Sequence, residues 1–184
     1  MQRYRPLMIT FAILSAAIIS FCPMNAMAGR SSWEAGLRAG TSFNDDEESF
    51  NQYDLFARYG LPWSWQWGRA IQVDTNLTTS VGILDGGGET GVAGSLGFEF
   101  VFGGAGRDLP LELRAGSALT LISRHKYGDE DLGGPVQFTH HISFYYWFLD
   151  NLSVLARVQH MSNAGIYSEN PGVNMIMLAM VYRF

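Results

Sequence analysis

From residue 33 onward, apolar and polar positions alternate with a period of two, the pattern of a strand with unlike faces. Trp33, Ala35, Leu37 and Ala39 alternate with Glu34, Gly36, Arg38 and Gly40. Tyr53, Leu55, Ala57 and Tyr59 alternate with Asp54, Phe56 and Arg58. The same rule runs through Ile71 to Leu77, Val92 to Phe102, Leu111 to Ala115, Val136 to Tyr146, Leu152 to Val158 and Ile176 to Phe184. These segments predict eight strands of roughly ten or more residues, long enough to cross a bilayer at a tilt. No helix-period apolar stripe of useful length interrupts them.

An even number of long alternating strands predicts an all-β fold, an eight-stranded antiparallel transmembrane β-barrel. The competing fold is a soluble sandwich or lipocalin-like barrel, in which the apolar face turns inward. The polar face favours the membrane. Glu34, Arg38, Asp54, Arg58, Asp74, Glu99, Glu112, Arg114 and Arg157 form a near-neutral set that could pair off in a narrow lumen, and the chain has a single lysine, Lys126. Connections alternate in character too. Those at 44–51, 84–91, 122–134 and 163–172 read as long and polar, whereas 103–108 is short and Asp150-Asn151 reads as a tight turn. Trp63, Trp65, Trp67, Tyr145, Tyr146 and Trp147 fall near the short-turn rim, where an aromatic girdle is expected, and the chain ends on Phe184.

The N-terminus follows a different rule. Arg3 and Arg5 precede an uncharged apolar stretch from Leu7 to Phe21, and Ala26-Met27-Ala28 is a small-x-small cleavage site. Residues 1–28 are expected to be a signal peptide and 29–184 an outer-membrane barrel enzyme domain. Phe21 before Cys22 argues against lipidation, which prefers a small residue there. Cleavage would remove the only cysteine and leave 156 of the 184 residues, with 10 basic and 17 acidic groups. An acidic chain lacks the basic footprint of a nucleic-acid binder. The charged fraction is only 16% and mean hydropathy is near zero, as expected if one face of each strand meets lipid.

Candidate chemistry concentrates near the C-terminus, in Gln159-His160-Met161-Ser162-Asn163-Ala164-Gly165 and Glu169-Asn170-Pro171-Gly172-Val173-Asn174. His160 and Ser162 share the face of Leu152, Val154, Ala156 and Val158, which places them on the outside of the barrel near one rim. Poorly satisfied polar groups there cost about 1 to 3 kcal/mol each. One reading is an interfacial strand end reaching head groups. The other is a serine hydrolase, with His160 as general base, Ser162 as nucleophile and the amides of Asn163, Ala164 and Gly165 stabilising an oxyanion. Register brings Asn174 opposite His160 or Ser162, within reach of the pair. Glu169, on the connecting loop, is the alternative acid. His140 falls opposite His160 if the Asp150-Asn151 turn is tight, as partner or bystander.

The motif His160-x-Ser162-Asn163-Ala164-Gly165, then Asn170-Pro171-Gly172-x-Asn174, on the last hairpin of such a barrel, resembles the lipid A 3-O-deacylase (PagL) family of outer-membrane acyloxyacyl hydrolases. The resemblance implies hydrolysis of the ester at the 3-position of lipid A, with release of a 3-hydroxy fatty acid and without metal or cofactor. It implies His160 as base, Ser162 as nucleophile and Asn163 in the oxyanion hole. The family has glutamate where this chain has Asn174. Lipopolysaccharide is then the expected substrate and the bacterial outer membrane the expected location, with a homodimer left open. The alternative function is a non-catalytic barrel with an adhesive or structural role; a channel is disfavoured because eight strands leave a lumen filled by side chains.

Overall fold

The computed structural model describes residues 33–43, 48–67, 71–104 and 110–184; the expected signal peptide lies outside them. The strands are β1 (Trp33–Ser42), β2 (Phe50–Trp67), β3 (Ile71–Gly86), β4 (Glu89–Gly104), β5 (Leu111–Ile122), β6 (Lys126–Tyr127), β7 (Glu130–Asp131), β8 (Val136–Leu149), β9 (Leu152–Ser162) and β10 (Val173–Arg183). Eight of them close an antiparallel barrel in the order β1-β10-β9-β8-β5-β4-β3-β2, and β6 and β7 form a small hairpin in the β5–β8 connection. Closure leaves no unpaired sheet edge, the condition for strands to exist in lipid.

Alternation puts Leu37, Leu55, Leu96, Phe98, Phe144, Val158, Ile176, Leu178 and Met180 on the exposed outer wall. The opposite face buries Glu34, Arg38, Asp54, Arg58, Glu99, Arg114 and Arg157 in the lumen. Glu99 is fully buried where four cationic or imidazole groups converge: Arg58 Nε at 3.0 Å, Arg114 Nη1 at 3.3 Å, His141 Nε2 at 3.0 Å and Arg157 Nη2 at 3.5 Å. Glu34 accepts from Arg114 and Arg183, and Arg38 pairs with Asp54. Each buried charge thus has an opposite partner, without which its desolvation would be prohibitive.

Three sequence expectations change. Tyr145 and Trp147 do not join a lipid-facing girdle; they turn inward, with the Arg114 guanidinium 3.9 Å from the Tyr145 ring and Arg183 3.7 Å from the Trp147 ring. The connection expected at 84–91 is a tight hairpin through Gly87 (φ 56°) and Gly88 (φ 75°), because consecutive glycines at positive φ suit the primed turns that match strand twist. The lumen is not polar throughout. At the end that carries the longer loops, Phe50, Leu84, Tyr127, Leu132, Met161, Val173, Met175 and Met177 form an apolar plug.

Candidate active site

The β9–β10 hairpin pairs His160 with Asn174, and β8 pairs His140 with His160 and Phe138 with Ser162. The tight turn at Asp150-Asn151 sets this register, with one irregularity between Trp147 and Leu149. Immediately inside, Met161 and Val173 belong to the apolar plug and back the site with packed side chains.

His160 Nδ1 lies 2.8 Å from Asn174 Oδ1. A carbonyl oxygen only accepts, so Nδ1 carries the proton and Nε2 is left with a lone pair. The imidazole rests against Gly172, at φ 76°; a Cβ built there would stand 2.9 Å from Cε1 of the ring. Glycine is therefore required twice, for its backbone conformation and for the space it leaves. The Glu169 side chain is exposed, whereas its backbone carbonyl accepts from Asn163 Nδ2 at 2.6 Å. Of the Asn174 and Glu169 side chains, Asn174 is the one hydrogen-bonded to the ring.

Ser162 differs from its neighbours on the same face. Val154 and Val158 are exposed, but Ser162 is buried, only 3% exposed, at the point where β9 enters the connection to β10. Its Oγ has no hydrogen-bond partner among the described residues, so His160 and Ser162 share a face without bonding to each other. Nucleophile and base commonly stand apart before substrate arrives and close up in the complex.

The expected oxyanion donors separate into two groups. The Asn163 amide donates to Asn170 Oδ1 at 2.9 Å, and the Gly165 amide to Asn163 Oδ1 at 2.9 Å. Asn163 Nδ2 donates to Leu132 O at 3.0 Å as well as to Glu169 O. Asn163, fully buried, is thus the knot of the loop, and neither its own donors nor the Gly165 amide remain for a substrate. Ala164 is different. It sits at φ 54°, a strained conformation for a residue with a side chain, and its amide donates to no group among the described residues. Asn170, which the sequence reading left without a role, has its oxygen engaged by Asn163 and its Nδ2 uncommitted among the described residues.

The β5–β8 loop clamps this turn. Carbon built at Gly134 would stand 2.5 Å from the Tyr167 ring, so the ring packs directly on bare backbone. Asp131 accepts from His125 Nδ1 and from the Gly133 amide, both at 2.9 Å, and these bonds, His125 first, hold its carboxyl down at about 2.

The family profile described as "Lipid A 3-O-deacylase (PagL)" matches residues 51–183. The lipid A deacylase PagL of Pseudomonas aeruginosa is 28% identical over 161 residues, covering 82% of this chain and 91% of that protein. That of Bordetella bronchiseptica is 32% identical over 72 residues, 39% of this chain and only 40% of that protein's length. The crystal structure of the outer membrane enzyme PagL superposes with a TM-score of 0.71 at 23% identity, over 81% of this chain and 98% of that one. A designed transmembrane β-barrel gives 0.51 at 11% identity, over 83% and 95% of the two chains.

Proposed function

The chain belongs to the lipid A 3-O-deacylase (PagL) family of outer-membrane enzymes, and from that premise we propose that Ser162, His160 and Asn174 perform its ester hydrolysis. The ester at the 3-position of lipid A meets Ser162 from the outer leaflet, its acyl chains lying along the exposed apolar wall that includes Val158 and Ile176. His160 Nε2 takes the Ser162 hydroxyl proton as Oγ attacks the carbonyl carbon. The tetrahedral oxyanion is met by the Ala164 amide and Asn170 Nδ2, the donors that the loop leaves uncommitted. Collapse breaks the bond to the sugar oxygen, which receives the proton from His160. Water then attacks the acyl-serine, passing a proton through His160 to Ser162 Oγ and releasing the 3-hydroxy fatty acid.

Asn174 holds the tautomer, but an amide contributes no negative charge to stabilise the imidazolium. This chain therefore operates with orientation where the family pattern has orientation and charge. The observation that carries the reading is the 2.8 Å His160–Asn174 bond on the face that also bears Ser162, at the loop-bearing rim of a lipid-facing wall. Refolded protein given lipid A in mixed micelles should release 3-hydroxy fatty acid, and Ser162→Ala should not; release at an undiminished rate by that variant would remove the nucleophile from the scheme.

A further inference from the structure

The outer wall carries a second polar pair that the hydrolytic scheme does not use. His140 Nδ1 lies 2.8 Å from Ser117 Oγ, on the β5–β8 ladder, where the two residues are directly paired. On its other side His140 is paired with His160. Across three successive ladders the order is thus Ser117, His140, His160, Asn174, two imidazoles flanked by two oxygen groups.

The arrangement is mirrored about the space between the histidines. In an imidazole, Nδ1 and Nε2 lie on opposite sides of the Cβ–Cγ axis. His140 gives its Nδ1 edge to Ser117 on β5, and His160 gives its Nδ1 edge to Asn174 on β10. The Nε2 of each ring therefore lies on the side of its axis away from that partner, which for His140 is the side of β9 and for His160 the side of β8. Directly opposed residues have β-carbons about 4.5 to 5.5 Å apart, a separation from which two imidazoles reach one ion. An oxygen acceptor on Nδ1 is also the usual support of a metal-bound histidine, fixing tautomer and ring orientation.

We propose that His140 and His160 form a two-imidazole site, through both Nε2 atoms, for a borderline divalent ion such as Zn²⁺, and that occupancy switches hydrolysis off. The inhibitory half rests on the role proposed for His160, since a metal on Nε2 takes the lone pair that must accept the Ser162 proton. No group of three or more His, Cys, Asp or Glu side chains suited to a metal gathers among the described residues, so the pair is an open, reversible site completed by water, not a resident structural centre. Nitrogen ligands select Zn²⁺, Ni²⁺ and Cu²⁺ over the oxygen-seeking Mg²⁺ and Ca²⁺. Position suits access from water: His160 is two residues before the end of β9.

The test uses tag-free, refolded full-length mature barrel in detergent. Calorimetric titration with ZnCl₂ should show one ion per chain in wild type and in Ser162→Ala, and none in His140→Gln or His160→Gln, while MgCl₂ gives no heat. Ser117→Ala should weaken binding by about tenfold, the cost of losing a supporting hydrogen bond. Zn²⁺ should abolish fatty-acid release by wild type and leave His140→Gln active. Absence of stoichiometric binding, or equal binding by His140→Gln, overturns the site. Binding that spares wild-type hydrolysis overturns the switch. A wild type that binds Zn²⁺ but hydrolyses nothing even without it contradicts the proposed function and leaves the metal site standing. Circular dichroism of each variant separates a lost site from a lost fold.

Discussion

His160 Nδ1 and Asn174 Oδ1 meet at 2.8 Å across the β9–β10 ladder, so the proposed base is oriented by an uncharged side chain. Replacing that amide by a carboxylate supplies the missing charge at the same point. Asn174→Glu is expected to raise kcat by about tenfold or more, since an adjacent opposite charge stabilises imidazolium by one or more pKa units. KM should barely change. Asn174→Leu should lower kcat instead, and steady-state assays on mixed micelles check both.

Gly172 makes room for the His160 ring. Gly172→Ala introduces a methyl group into that space at a positive φ, and the imidazole must shift. A displacement of the order of 1 Å costs about 100-fold in rate. Activity should fall by that factor while the thermal midpoint falls by only a few degrees, the cost of an alanine at positive φ.

Asn163 satisfies Leu132 O, Glu169 O and the Gly165 amide through one buried side chain. Asn163→Ala strands these groups, at about 1 to 3 kcal/mol for each that water cannot reach. Limited proteolysis should then cut within 163–172 before the barrel unfolds, and hydrolysis should decline in step with that cleavage.

Much of this site is visible in the sequence because strands have a strict period. The shared parity of His160, Ser162 and Asn174 with Val158 and Ile176 follows from counting by two, and the short Asp150-Asn151 turn brings His140 opposite His160. Composition is silent where neighbours are alike: in Tyr145-Tyr146-Trp147-Phe148 every residue is apolar enough for lipid, and it is the count by two from Ile142 and Phe144 that turns Tyr145 and Trp147 inward, onto Arg114 and Arg183. Parity itself is silent in loops. That Asn163 spends its donors on the turn, leaving Ala164 and Asn170, depends on contacts with Leu132 and Glu169 that no spacing announces. The burial of Ser162 likewise belongs to the rim, not to the strand pattern.

Glu99 anchors the lumen on the face away from the candidate site. Glu99→Gln leaves Arg58, Arg114 and Arg157 short of an anion, and removing one partner of a buried ionic set typically costs about 3 to 5 kcal/mol. Urea unfolding in lipid vesicles should shift to lower denaturant by that amount. Activity per folded molecule should stay at the wild-type level, which separates the structural charges from the proposed catalytic residues.

Ser162 and His160 are proposed to cleave the 3-position ester of lipid A. Mass spectrometry of lipid A from cells expressing wild type, Ser162→Ala or His160→Gln, each verified as folded in the outer membrane, tests it most directly. Wild type alone should lose one hydroxyacyl chain and release the matching free 3-hydroxy fatty acid. Intact lipid A in all three strains, or equal deacylation by Ser162→Ala, would contradict it.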